Sequence, residues 1–138
     1  MIMMNAFIFV RLRVPALALI TFAFLCGGLV TASAGQQIYV AQTATGDGSG
    51  SSSANCKSLA SVNTAWPAVA GDTVHLVGIF TNALNVGASG APENPITILF
   101  EPNAKFSAPF WPQQWWGGGA ITVYAKNYVI IDGGSNGL

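Results

Sequence analysis

Short β-rich runs recur at a nearly constant interval in the second half of this chain. They are Thr73–Val77, Ala83–Val86, Ile96–Phe100, Ala104–Phe106, Ile121–Tyr124 and Tyr128–Asp132. Taken as three pairs, they are almost evenly spaced, with first members centred on Val74, Ile98 and Val123 and second members on Leu84, Phe106 and Ile130. A fixed period of roughly 20–50 residues is typical of solenoids, in which each turn buries its apolar side chains against its neighbour. The leucine spacing and helical segment of leucine-rich repeats are missing, so the sequence predicts an all-β solenoid.

One amphipathic helix is predicted before these runs, from Cys56 to Trp66. Its apolar side chains at helical spacing are Leu59, Val62 and Trp66. Pro67 ends the segment. The first turn of a solenoid exposes unpaired backbone groups and an apolar interior, so it needs a cover. We therefore expect the helix to cap the first turn, where Val74 and Leu76 face inward.

The segment upstream of the helix divides into a strand and a loop. Ile38–Ala41 has the composition of a short strand, and the following run QTATGDGSGSSSANC predicts a surface loop. Ser53 or Asn55 is expected to cap the helix. The chain ends on the turn-like DGGSNGL after about three repeats, the lower limit for a stable solenoid. We expect the solenoid to be truncated here after its first turns.

Residues 1–34 have the organisation of a secretory signal peptide. Arg11 and Arg13 close a positive region, residues 16–26 form an uncharged apolar core, and small residues precede a cleavage point after Ala34. A retained membrane anchor is the alternative, since about 18 apolar residues can span a bilayer. Glycines directly after the core argue against it. The prediction is a secreted domain of residues 35–138 with no stable anchor.

The predicted mature domain is sparsely charged. Residues 35–138 contain three lysines, five acidic residues and no arginine, a net charge of −2 with His75 neutral. Nucleic-acid binding requires clustered Lys and Arg, so no nucleic-acid partner is predicted. Cys56 is the single cysteine of this domain. We expect it to form a disulfide with a residue outside this segment, with simple packing as the alternative.

Four segments resemble the pectin-lyase-like superfamily of right-handed parallel β-helices. They are IYVA from Ile38, AGDTVHLVGIFT from Ala70, APENPITILFEPNAKF from Ala91 and AKNYVIIDGG from Ala125. Their order and spacing are similar to those of the first turns of that fold. The resemblance implies a right-handed parallel β-helix with a short N-terminal capping helix.

The same resemblance implies a protein that acts on or binds polysaccharide. The superfamily includes lyases, glycoside hydrolases and adhesins, and a fold shared by many chemistries does not select one. Its lyases use an Arg or Lys base with Ca²⁺ held by acidic residues. Calcium would be a cofactor only if the chain is a lyase whose ligands lie outside this segment. We expect such a lyase or hydrolase, with its active site also outside; a non-catalytic adhesin or structural protein is the alternative.

The acidic residues of the domain do not form a recognisable site. Glycoside hydrolases need grouped carboxylates at set separations. Asp72, Glu93, Glu101 and Asp132 are scattered, and we expect them to serve turns and solvated surfaces. His75 alternates with inward residues and should therefore face outward, where a hydrogen-bonded role is commoner than metal binding. The sequence names no catalytic residue and no metal ligand.

The segment FWPQQWWGGGA supplies the candidate substrate-binding residues. Flat rings on an exposed loop suit stacking against sugars, which points to Trp111, Trp115 and Trp116. Gln113 and Gln114 offer hydrogen bonds to hydroxyl groups. In the alternative interpretation the tryptophans fold back and cover the side of the solenoid, because Trp is highly buried on average.

Overall fold

The computed structural model describes residues 34–111 and 118–136, and this part of the chain is rich in strands. Its elements are β1 (Gln37–Ala41), β2 (Lys57–Ser58), α1 (Leu59–Thr64), β3 (Thr73–Val77), β4 (Ile79–Phe80), β5 (Leu84–Asn85), β6 (Ile96–Phe100), β7 (Lys105–Phe106), β8 (Ile121–Thr122), β9 (Val129–Asp132) and a 3-10 turn (Gly134–Asn136). All pairings between these strands are parallel. The expected all-β character is confirmed. The predicted signal peptide lies outside the described residues, except for Ala34.

Five strands form the main sheet, in the order β2-β1-β3-β6-β9. Its register aligns Ile38, Val74, Ile98 and Ile131 in one cross-strand row. The step from Val74 to Ile98 matches the predicted spacing, whereas the next step, which ends at Ile131 and not at Val123, is clearly longer. The prediction of a constant interval is therefore wrong. The backbone pairing of the strands determines which residues share this row. The segments that connect the strands differ in length, so the interval in sequence is not constant.

Two smaller sheets accompany the main one, β4 with β7 and β5 with β8. Phe80 pairs with Phe106, and Leu84 pairs with Ile121. The sequence spacing predicts that Ile98 and Val123 occupy equivalent positions in successive turns, and likewise Leu84 and Phe106. Both predictions are wrong, because Ile98 is aligned with Ile131 and Leu84 with Ile121. Between successive strands of the main sheet, the chain can form strands in two other sheets. Sorting the predicted strands into two classes therefore assigns the later ones to the wrong partners.

The core is built from side chains on one face of these parallel strands. Those with no more than 2% of their surface exposed include Ile38, Val40, Val74, Leu76, Phe80, Leu84, Ile96 and Ile98. Alternation within a strand places Val74 and Leu76 inside, as predicted, and His75 on the opposite face. Burying one such apolar side chain contributes about 1.5–3 kcal/mol to stability. The buried side chains thus lie in rows across the paired strands.

The helix is shorter than predicted and begins later. It starts at Leu59 rather than Cys56, because Ser58 is the N-cap and its Oγ accepts a hydrogen bond from the Ser61 backbone N–H at 3.1 Å. Ser53 and Asn55 are therefore not the cap. Leu59 and Val62 are buried in the core, and the helix contacts β1, β2 and β5. Trp66 follows the helix and packs against the same core.

The Gly- and Ser-rich loop covers the outer edge of β1. The Tyr39 backbone N–H donates to the Gly50 carbonyl oxygen at 2.9 Å, and β2 pairs with Val40 and Ala41. The expectation of a surface loop is confirmed, but this loop also closes the edge that the helix alone was expected to protect. Both edges of β1 are thereby occupied, one by the loop and β2, the other by β3.

Cys56 is buried within this loop as a free thiol. Its Sγ lies 3.2 Å from the Ser53 carbonyl oxygen and 3.8 Å from that of Ser52. The side chain is completely enclosed. The structure shows Cys56 packed in the interior, and a disulfide with a residue outside this segment stays a prediction. Within residues 34–111 and 118–136, no helix has the length and apolar character needed to cross a bilayer.

Candidate functional site

A groove of about 280 Å³ lies beside the two small sheets. Its lining residues are Thr81, Asn82, Ala83, Asn85, Ala108, Pro109, Phe110, Trp111, Gly118, Gly119 and Thr122. They come from two stretches far apart in sequence, the β4–β5 turn and the segments between β7 and β8. The parallel pairing of β5 with β8, which aligns Leu84 with Ile121, brings them together. Its volume is close to the lower end of the roughly 300–1,000 Å³ typical of small-molecule sites.

An aromatic cluster holds one wall of this groove. Phe80 and Phe106 are paired across β4 and β7, and their rings stack with centroids 4.9 Å apart. The rings of Trp111 and Phe100 each make an edge-to-face contact with the Phe106 ring, with ring centroids 5.9 Å apart in both pairs. Trp111 is therefore partly packed, as the alternative interpretation of this segment expected, yet it still lines the groove. Trp115 and Trp116, with Gln113 and Gln114, lie outside the described residues.

Phe110 presents the most exposed aromatic ring of the groove. Three quarters of its surface, 75%, is accessible to solvent. Trp111, by contrast, is held against the aromatic cluster. Sequence reasoning selected the tryptophans and missed Phe110, although the adjacent Pro109 and Trp111 already marked it as part of an exposed turn. An exposed ring beside a cavity is a common feature of binding sites.

The polar wall of the groove is positioned by two amide side chains outside it. Gln42 accepts a hydrogen bond from the Thr81 backbone N–H and donates to Asn82 Oδ1, both at 2.8 Å. Asn63 of α1 donates to the Ala83 carbonyl oxygen and accepts from the Asn85 backbone N–H, again at 2.8 Å each. The β4–β5 turn is thus fixed from both sides.

This arrangement leaves hydrogen-bonding groups free in the groove. Among the described residues, the Asn85 side-chain amide and the Thr122 hydroxyl have no hydrogen-bond partner, and Asn82 uses only its oxygen. Sequence reasoning missed all three residues. An isolated Asn or Thr in a turn is ordinary, and the pairing of distant strands is what gathers them.

A second polar cluster lies on the outward face of the main sheet, around His75. His75 Nδ1 is 2.5 Å from Glu101 Oε1, and its Nε2 is 2.6 Å from Gln37 Oε1. Tyr39 stacks on the imidazole with ring centroids 4.3 Å apart. Only 8% of the His75 surface is exposed. The predicted outward, hydrogen-bonded His75 is confirmed, and the neighbouring side chains close over it.

Two carboxylates of the domain are engaged by its own backbone. Asp72 accepts hydrogen bonds from the backbone N–H groups of Gln36 at 2.7 Å and Val69 at 2.8 Å. Asp132 accepts from the Gly134 backbone N–H at 2.8 Å. These two residues serve turns, as expected. Asp72 precedes β3, whereas Asp132 pairs with Leu99, so they do not share a row.

Metal-ligand groups do not assemble in the described part of the chain, where no three His, Cys, Asp or Glu residues lie close enough to hold a metal ion. The groove beside Phe110 and the cluster around His75 are candidate sites in the described part of the chain. No protein-family model, curated protein or solved structure matches this chain, so both sites are interpreted from their own residues.

Proposed function

We propose that this chain is an exported right-handed parallel β-helix protein that binds polysaccharide in the groove beside Phe110. Support for the fold is the repeated return of the chain to the same parallel sheets, β1-β3-β6-β9 with β4-β7 and β5-β8. Connections between parallel strands of one sheet are right-handed in nearly all proteins. The organisation of residues 1–34 supports export.

One observation carries the binding proposal: the exposed Phe110 ring and the free amide of Asn85 border the same concave groove. A sugar ring presents an apolar C–H face together with hydroxyl groups that both donate and accept hydrogen bonds. The electron-rich face of an aromatic ring suits the first, and side-chain amides suit the second. Trp111 supplies a second aromatic surface, packed against Phe106.

We assign binding rather than chemistry to this groove because none of the described residues that line it is acidic, basic or a histidine. Hydrolysis of a glycosidic bond requires two carboxylic acids flanking it. Asp72, Asp132 and Glu101 are held by their own partners and do not line the groove. A lyase or hydrolase activity would require residues other than these.

The test is the variant Phe110→Ala, with retention measured by affinity electrophoresis through gels that contain polysaccharide. Loss of the exposed ring should abolish most of the retardation while leaving the melting temperature within about 2 °C, since an exposed side chain contributes little to stability. Tyr128→Ala is the matched control, because Tyr128 is also aromatic and 54% exposed but lies outside the groove. Equal retardation of Phe110→Ala and the unmodified protein would contradict the proposal.

A further inference from the structure

We propose that the groove beside Phe110 selects a neutral polysaccharide and discriminates against acidic ones such as polyuronates. This inference rests on the proposed binding function and specifies the ligand class. Its basis is the complete lack of charge among the described residues that line the groove, and in the sequence around them. Residues 77–92 and 106–125 contain no Asp, Glu, Lys or Arg and no histidine. The described lining residues are all drawn from these stretches.

A carboxylate-bearing sugar would lose hydration in this groove without gaining a charged partner. Proteins recognise carboxylates through Arg, or through Lys as a point charge, and these charge-assisted hydrogen bonds are about twice as strong as neutral ones. Transfer of an unpaired carboxylate out of water is strongly unfavourable. Lys105 and Lys126 flank the second stretch in sequence, but neither lines the groove.

The free hydrogen-bonding groups match hydroxyls better than carboxylates. A side-chain amide such as that of Asn85 offers donors and an acceptor, and the Thr122 hydroxyl does the same. A sugar hydroxyl can satisfy either role. An ionised carboxylate only accepts, so it would face the Asn85 oxygen without a compensating hydrogen bond. The amide N–H groups of Asn82 and Asn85 and the Thr122 hydroxyl could donate to a carboxylate, but each of these donors is neutral.

Two further effects act in the same direction. The face of an aromatic ring carries negative charge density, so the exposed Phe110 ring attracts polarised C–H groups and repels an anion placed over it. At longer range the predicted mature domain carries a net charge of −2. Its overall field therefore disfavours approach of a polyanion, most strongly at low ionic strength.

The experiment measures binding of the protein to neutral polysaccharides (a β-glucan, a xylan and a galactan) and to polygalacturonate and alginate, at about 50 and about 500 mM NaCl. We expect at least one neutral polymer to bind with an affinity that salt leaves within about twofold, and polyuronates to bind at least about tenfold more weakly. Tighter, salt-sensitive binding to a polyuronate would overturn the neutral selectivity but retain the binding function. Binding to none of the polymers by the folded protein would overturn the binding function itself.

The variant Asn85→Lys places a cation in the groove on an exposed side chain. It should lose affinity for the neutral ligand and gain measurable, salt-sensitive affinity for polygalacturonate. The control Asn103→Lys adds the same charge at an exposed position outside the groove. Equal gains in the two variants would show that net charge rather than the groove decides polyuronate binding, and would contradict the inference.

Discussion

His75 Nδ1 and Glu101 Oε1 lie 2.5 Å apart on the outward face of the main sheet, joining β3 to the residue that follows β6. Gln37 Oε1 faces the other ring nitrogen, while Gln37 Nε2 donates to the Gly35 carbonyl oxygen and so fixes the orientation of the amide. The two ring nitrogens of His75 thus face the side-chain oxygens of two different residues. The imidazole therefore connects β1, β3 and the residue that follows β6.

This geometry predicts that the contact between the His75 imidazole and the Glu101 carboxyl group stabilises the fold. Glu101→Gln keeps the shape but removes the negative charge, so the free energy of unfolding in urea should fall by about 1 kcal/mol. Glu93→Gln is the control, because Glu93 is exposed and has no such partner among the described residues. Unchanged stability of Glu101→Gln would contradict a stabilising contact between His75 and Glu101.

The N-cap of α1 gives a second prediction. Ser58→Ala removes the oxygen that accepts from the Ser61 N–H, and should lower the free energy of unfolding by about 1 kcal/mol. Ser53→Ala tests one of the two cap positions that the sequence predicted, and its exposed hydroxyl should be dispensable. Urea unfolding of both variants shows which substitution lowers the free energy of unfolding more. A larger loss in Ser53→Ala would place the start of the helix where the sequence predicted it.

Asp47 should show a measurable acid response. Hydrogen bonds from the Ser49 side chain, and then from its backbone N–H, lower the pKa of Asp47 below its ordinary value. Because the folded pKa is depressed, the associated stabilisation is present above the ordinary pKa and is lost as pH falls through the folded one. Ser49→Ala removes the larger cause, so carbon NMR titration should find the pKa of Asp47 raised toward normal. An unchanged titration midpoint would assign the effect to the backbone alone.

Gly87 is required by its contact with Trp66. A Cβ built on Gly87 would lie 2.4 Å from Trp66 Cβ, so one of the two segments must shift. Gly87→Ala should therefore destabilise the domain by about 1–3 kcal/mol, the usual effect of overpacking. Gly119→Ala is the control, because its nearest neighbour, the Ile121 carbonyl oxygen, would be at an ordinary 3.7 Å. Thermal unfolding of the two variants distinguishes close packing from a general cost of replacing glycine.

The strands that sequence reasoning located best are those with the strongest local signals. β3 and β6 have the predicted bounds, because each alternates buried apolar residues and follows a Gly-Asp or Asn-Pro boundary. β2 and β4 were missed, since two residues are too few to display any periodicity. Their pairing depends on the neighbouring strand, which local sequence does not specify.

The candidate site also combines residues with a local sequence signal and residues that only strand pairing brings together. Trp111 could be predicted because an aromatic residue in a Pro- and Gly-rich segment is locally conspicuous. Asn82, Asn85 and Thr122 could not, because their proximity results from the alignment of Leu84 with Ile121 across two strands of different sequence regions. Site residues that depend on tertiary register are invisible to local pattern.

The closed outer edge of β1 gives the domain a direction of assembly. The groups that occupy this edge, Gly50 and β2, precede β3 in the chain, so the first strand can be sealed before any later strand exists. Each subsequent strand of the main sheet then adds on the opposite side, in the order β3, β6, β9. Nearest-neighbour stacking of this kind can propagate from one nucleus. Along β1, β3, β6 and β9, the order of the strands in the chain is thus also their order in the main sheet.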